Sequence, residues 1–489
     1  MNFRGSYLLL ISFLYCLSVC SQKPITLDKA LGIAEINSPS LQKTQLSREQ
    51  SRQTLIAQKA ALKAKISLSV APLTYNKGQS FNSQLSDWYT YNSMSSTGTF
   101  EISQPVLLTN STLSLSNKLG WQNNTSNYYG TSNKNKAFVN ELNLTLKQPL
   151  FSYNSQKMNL KELELCVENA EIEYRLQHLF MEQRVTTLFY NVFMAQLNLD
   201  IASEELNNTQ VSHTTIADKV GEGLAANIEL YQADLNLSAA KSMVQNRKVT
   251  LENARAYFRQ FIGLDLKDSI NVTAAIGDIS TLKVNIQEAI NYGLKNRLEL
   301  RQRKIDIENE QFALTRAEAV NKFNGSVSLS FGLTGNDMML NRVYQTPNQG
   351  LGVAVSLNIP IWDWGERKAR IKAQHAAIKY KTIDYESEQT QIQINISEIC
   401  RNMENYRFQI EIEKQNQRNA QMAYEISLEK YRNGDLTSMD LNLYQTQLSS
   451  KKVSLAQAQV NYKLELLNLK IATLYDFEKN VETLIVEKN

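Results

Sequence analysis

The sequence predicts a mainly α-helical chain with a β-barrel part, internally duplicated, in which long coiled-coil helices follow directly on two-faced strands. Three observations predict it. Within Gly350–Gly365 the segment from Val353 to Ile361 alternates apolar with small or polar residues, then passes Pro360, Trp362, Trp364 and Gly365 into a helix-forming run. The same strand-to-helix join occurs earlier at Leu142–Phe151, and Pro149 and Pro360 are 211 residues apart. Residues 152–220 and 366–433 contain neither glycine nor proline, and each run makes a helix on the order of 100 Å long at ~1.5 Å per residue.

Residues 1–21 read as a signal peptide, with Arg4 as the charged flank and Tyr7 to Val19 as an apolar core too short to span a bilayer. Cleavage after Ser21 puts Val19 and Ser21 at the small-residue positions. The rival is a lipoprotein cut that leaves Cys20 acylated, with Val19 a poor residue before it. Losing Arg4 lowers the net charge from +4 to +3. Near balance argues against a nucleic-acid partner, which needs a basic patch. No later run is long and apolar enough for a transmembrane helix, a test that barrel strands escape. Cys166 and Cys400 remain after cleavage and read as two unpaired, packed cysteines rather than a disulfide framework.

The first repeat covers residues 22–262. Thr26 is a cap candidate, Leu27, Ala30, Leu31 and Ala34 share a helical face, and a second amphipathic run continues past Ser38-Pro39 to Lys65. Strands follow over about 66–151, among them Ile66–Val70, Phe100–Gln104, Leu113–Ser116 and Leu142–Leu150. Residues 152–262 form a long helical hairpin. After a linker over 263–284, the second repeat covers 285–489, with helices from Asn285 to Asn324, strands at about 326–362 and a second hairpin at 366–475. Ile286, Ala289 and Ile290 match Leu27, Ala30 and Leu31 at an offset of 259, which drops to 211 beyond the strands. The first repeat therefore holds 48 additional residues there, room for a further hairpin or for long loops.

Each strand is apolar on one face and rich in serine or asparagine on the other. Trp88, Trp121, Trp362 and Trp364, with Tyr89, Tyr91, Tyr128 and Tyr129, lie in or beside them. This suits a lipid-facing band with aromatic girdles, although a soluble sandwich with one wet face produces the same alternation. The helices favour the membrane reading. Val185, Leu188, Val192, Ala195, Leu199, Ala202 and Leu206 repeat at alternating three and four spacing, and Ile396, Ile399, Met403, Tyr406 and Ile410 repeat it at the 211 offset, the seam of a left-handed coiled coil. Both runs end at a glycine, Gly223 and Gly434, suited to a left-handed C-terminal turn before a returning helix. Four to six strands cannot close a membrane barrel, which needs about eight. Open edges in lipid cost several kcal/mol per unpaired backbone group, about the cost of an unmade buried hydrogen bond, so lipid-facing strands require several copies to share one barrel.

In this order, with this duplication, the Gln-Pro-Leu-Phe and Ile-Pro-Ile-Trp-Asp-Trp-Gly joins and the glycine-containing turns, nearly the whole mature chain resembles the TolC-type outer-membrane efflux and export channel family. The resemblance implies a homotrimer completing a membrane β-barrel, an α-helical tunnel across the periplasm of a Gram-negative bacterium, and docking to a periplasmic adaptor (membrane fusion) protein and an inner-membrane pump of RND or ABC type. It implies four strands per subunit, and the additional residues leave open a larger barrel or an extracellular hairpin. The implied function is a passive duct for drugs, small molecules or exported proteins, in efflux or type I secretion. A periplasmic adaptor is the alternative, since adaptors also use helical hairpins.

No catalytic constellation, cofactor site or metal motif stands out, so the chain reads as no enzyme. His213 falls on the extended heptad register and reads as packed or interhelical. Glu229 and Asp440 lie six residues beyond Gly223 and Gly434. The resemblance implies a pore entrance there, with Asp440, Glu229, Asp435 and Tyr431 as gate candidates and the turns at Gly223 and Gly434 as adaptor docking points. Leu443 and Leu436 stand where the family can carry a second aspartate and an arginine latch. Pro149, Phe151, Pro360, Trp362, Trp364 and Gly365 are the implied barrel-to-tunnel junction.

Overall fold

Two compact units make up the computed structural model, which describes residues 25–83, 86–128, 131–268, 270–273, 282–433 and 435–482. Each unit takes segments from both halves of the sequence: one holds residues 47–171 and 302–385, the other the stretches up to 46, 172–301 and from 386 onward. The helices are α1 (Leu27–Asn37), α2 (Pro39–Ala61), α3 (Ser155–Gly221), α4 (Asn227–Ile262), α5 (Ile286–Asn296), α6 (Leu298–Ala319), α7 (Glu366–Asn433) and α8 (Ser438–Thr473). The strands are β1 (Lys65–Asn82), β2 (Asp87–Val106), β3 (Ser111–Tyr128), β4 (Thr131–Leu150), β5 (Asn324–Asp337) and β6 (Asn348–Asn358), with a small pair β7 (Tyr475–Asp476) and β8 (Val481–Glu482). Residues 1–21, expected to be a signal peptide, and Gly434 lie outside the described residues. No described helix is long and apolar enough to cross a membrane.

The first unit holds one antiparallel sheet in the order β1-β2-β3-β4-β5-β6, open at β1 and β6. The 48 additional residues form strand here: four strands precede α3 and two precede α7. They are far longer than the segments that alternation picks out, because Ser- and Asn-rich stretches such as Gln122–Asn127 are held by backbone pairing to their neighbours. Strand β5 ends at Asp337 opposite Phe138, so β4 before that point pairs with β3 alone. Helix α6 ends at Ala319, short of the expected Asn324, and two other boundaries in this unit differ from expectation. Helix α2 stops at Ala61, and Lys65 already pairs with Ser103. Strand β6 stops at Asn358, before Pro360, which has no N–H for a ladder.

The register shows why the faces differ. Ile66, Ile102, Leu115, Leu144, Phe331 and Leu351 form one directly paired row across all six strands. On the opposite face Ser67, Glu101, Ser116, Asn143, Gly332 and Gly350 form the adjacent row. That face also carries an ion pair between Lys118 and Glu141 at 3.6 Å, so it is more charged than serine and asparagine alone suggested.

The second unit is helical. Of the seam residues, Val185, Leu188, Val192, Ala195 and Ala202 on α3 and Ile396, Ile399, Met403 and Ile410 on α7 are buried, while Leu199, Leu206 and Tyr406 are half-buried. A cluster joins Val185, Phe189 and Val192 to Ala30 and Ala34 of α1 and Phe258 and Ile262 of α4. The stretch expected to be only a linker contributes to it, since Ile270 and Val272 are buried and Ile25 donates its N–H to the Asn271 carbonyl at 2.8 Å. Helix α8 ends at Thr473, short of the expected 475, because Leu474 turns left-handed (φ 51°) into β7.

Candidate functional site

Two places carry the residues singled out by sequence, one in each unit. In the helical unit α3 ends at Gly221, and Gly223 adopts φ +77° with no atom within 4 Å of where a Cβ would stand. The turn is closed by Leu224 N–H donating to the Lys219 carbonyl at 2.7 Å, the bond of a helix-ending left-handed turn. The same bond recurs 211 residues on, from Asp435 N–H to the Lys430 carbonyl at 2.9 Å.

Beyond the turns, Glu229 and Asp440 each sit in the first turn of a returning helix, where a carboxylate suits the positive end of the helix dipole. Both are exposed, as is Asp435. Asp440 has a local partner: Thr437 Oγ1 accepts from Asp440 N–H at 3.2 Å and lies 2.7 Å from Asp440 Oδ2 as its donor. This is a threonine N-cap whose hydroxyl also holds the Asp440 carboxylate, and its capping signature is legible in Thr-Ser-Met-Asp although sequence reasoning missed it. Tyr431 lies across the helices, with its hydroxyl 3.4 Å from Ser212 Oγ and the Lys219 ammonium 5.7 Å from its ring centroid. His213 is interhelical, its Nε2 2.7 Å from Asp234 Oδ1. Exposed apolar side chains flank these turns, namely Leu224, Ile228 and Tyr231 after the first and Met439 and Leu443 after the second.

In the sheet-bearing unit the two strand-to-helix joins are built differently. After β4, which contains Pro149, Phe151 takes φ +59° and its ring packs on Phe323 with centroids 5.0 Å apart. Asn154 then caps α3, its Oδ1 accepting from Lys157 N–H at 2.9 Å. After β6, Trp362 and Trp364 pack edge to face at 5.7 Å, Trp364 and Gly365 both have positive φ, and the two indoles are 73% and 90% exposed. Asp363 between them was also missed. Its carboxylate accepts from Gly365 N–H at 2.9 Å and Arg367 N–H at 3.2 Å, and these bonds hold its pKa below the ordinary aspartate range. Asn321 and Glu318 at the end of α6 bond to Glu366 and Arg367, locking the start of α7.

The sign of the Asp363 effect follows. A depressed folded-state pKa contributes stability above the unfolded-state value, and that contribution is lost as pH falls through the folded-state value. Asp363→Asn should therefore melt below the parent at pH 7, and the gap should close as pH falls below the carboxylate range. A gap of equal size at pH 7 and pH 3 would rule out the charge as its cause.

Cys166 and Cys400 are both unbridged. Cys400 is buried as expected, but Cys166 is exposed, since it lies beside the buried Leu165 on the outward side of α3.

Residues 289–473 match the family model described as outer membrane efflux protein. The fold is similar over nearly the whole length to solved outer-membrane proteins. The Campylobacter jejuni CmeC outer membrane channel aligns at TM-score 0.69 and 15% identity, covering 94% of this chain and 86% of that one. The outer membrane protein VceC from Vibrio cholerae aligns at TM-score 0.65 and 12% identity, covering 92% and 95%. The open state of the Neisseria gonorrhoeae MtrE outer membrane channel aligns at TM-score 0.65 and 14% identity, covering 92% and 89%. No curated protein sequence matches. The fold is that of these solved outer-membrane channels.

Proposed function

We propose that the protein is the outer-membrane duct of a tripartite efflux or type I secretion system, a passive homotrimer standing in the Gram-negative outer membrane and reaching into the periplasm. The observation that carries this is the open six-stranded sheet with an apolar row on one face and charged and polar residues on the other. Such a sheet has unpaired backbone at both edges, which lipid does not tolerate, and pooling strands from several copies removes the edges. The adaptor alternative offers nothing to cover that apolar row. The duct carries small molecules, drugs or exported proteins, and energy comes from an inner-membrane pump of RND or ABC type through a periplasmic adaptor docked at the turns of Gly223 and Gly434. Pro149, Phe151, Pro360, Trp362, Trp364 and Gly365 form the barrel-to-tunnel junction, with the exposed indoles at the membrane interface. The two halves, 22–262 and 285–489, are repeats of one unit.

The pore entrance is formed by Asp440, Glu229, Asp435 and Tyr431. Three Asp440 carboxylates in a ring favour cations and repel anions. With Leu436 and Leu443 in place of an arginine latch and a second acid, closure rests more on apolar packing of Met439 and Leu443 than on ion pairs. Reconstituted in planar bilayers, Asp440→Asn should lower cation preference. Conductance and selectivity both equal to the parent would remove Asp440 from the gate. Fractionation tests the wider reading, since a duct is recovered from outer membranes as a detergent-soluble trimer and an adaptor is not.

A further inference from the structure

The 48 additional residues of the first half hold the key to the width of the pore. They account for two strands beyond the two that precede the second long helix, and the turn between β2 and β3, Leu107 to Asn110, lies at the helix-bearing end of the sheet. A hairpin there could fold into the lumen as a plug, hang outside, or stand in the wall. Three observations decide for the wall.

Both strands of the hairpin are paired on both sides along most of their length, β2 to β1 with one bulge at Ala71/Thr74 and β3 to β4, without a break in sheet order. The apolar face continues through them: Ile102 and Leu115 sit in the middle of the row from Ile66 to Leu351, and Leu113 is directly opposite Leu146 in the next row, which continues to Leu329 and Val353. A plug bathed in water would have no reason to keep that row in register with strands facing lipid. The turn is also fastened to the helix ends. Gln104 Nε2 donates to the Leu62 carbonyl at 2.9 Å beyond α2. Asn154 Nδ2, from the residue that caps α3, donates to the Leu107 carbonyl at 2.6 Å, and Gln148 Nε2 donates to the Thr109 carbonyl at 2.9 Å. These bonds tie the added turn to the same collar as the strand-to-helix joins.

We infer that all six strands of each copy stand in the barrel wall, so that three copies close an eighteen-stranded barrel by pairing β6 of one copy with β1 of the next. This rests on the trimer of the proposed function. Barrel diameter grows nearly linearly with strand number, so the lumen is about one and a half times as wide as that of a twelve-stranded barrel with four strands per copy.

The test uses the full-length protein in outer membranes, with the exposed Cys166 replaced by serine. Ser67→Cys on β1 and Ala354→Cys on β6 place thiols on the polar face of the two edge strands. A short bismaleimide should give a ladder ending at three chains. Joining Ala354→Cys to Ser114→Cys on β3 instead would mean that β1 and β2 stand outside a twelve-stranded wall, and a ladder ending at two chains would mean a twelve-stranded dimer. Either overturns the inference. A second measurement reads the hairpin alone: Ser114→Cys should react with a membrane-impermeant maleimide and Leu113→Cys should not, and equal reaction at both positions overturns it. A complete ladder in a protein that moves no cargo supports eighteen strands and counts only against the duct reading.

Discussion

Leu115→Lys is expected to remove the protein from the outer membrane, whereas Ser116→Lys, one residue along the same strand, should leave its level close to that of the parent. Leu115 sits at the centre of the row from Ile66 to Leu351, with Ile102 and Leu144 as direct neighbours. Side chains alternate across a strand, so Ser116 points to the opposite face, between Glu101 and Asn143. A lysine on the lipid face of a barrel costs about 2–4 kcal/mol near the bilayer midplane and little on the lumen face. A symmetric trimer incurs that cost three times. The measurement is the amount of SDS-resistant oligomer in purified outer membranes. Equal amounts for the two variants would mean that this face does not meet lipid.

The second large effect lies in the helical unit. Phe258→Ala should destabilise that unit by about 3–5 kcal/mol, the range for removing a fully buried phenylalanine ring. Phe258 has no exposed surface, and its ring meets Phe189 edge to face at 6.2 Å, within the cluster that also holds Ala30, Ala34 and Ile262. Two alanines of α1, Ala30 and Ala34, are fully buried in this cluster, so the helix approaches closely there. Thermal or chemical denaturation of the detergent-solubilised protein should show a clear downward shift for Phe258→Ala. As a control, Tyr257→Ala, at a 66% exposed position on the same helix, should shift it little. Similar shifts for both would show that Phe258 does not anchor the core.

The candidate site was legible unevenly. Gly223 stood out because a left-handed helix end favours glycine, and the turn has that conformation. Trp362 and Trp364 stood out as large side chains in a short segment between a strand and a helix, and they are among the most exposed aromatics. Asp363 between them and Thr437 before Asp440 did not stand out, because their importance lies in which backbone N–H groups they reach, although the spacing of the second pair is a known capping signal. His213 could be assigned to the helical seam from its register, but its partner Asp234 lies on another helix and only the fold brings them together.

By itself, the sequence determined the element types and the faces. Periods of 3.5 and 2 are local properties of where apolar residues fall, so the seam from Val185 to Ala202 and the alternation at Ile66–Val70 could be read without coordinates. Strand number, strand length and order needed the tertiary structure. Polar stretches such as Asn123–Asn127 carry no hydrophobic pattern, and only hydrogen bonding to β2 and β4 makes them strand. Whether 48 added residues become loop or wall is likewise decided by which neighbours accept their backbone groups. The sidedness of the sheet was local, and the number of strands sharing it was not.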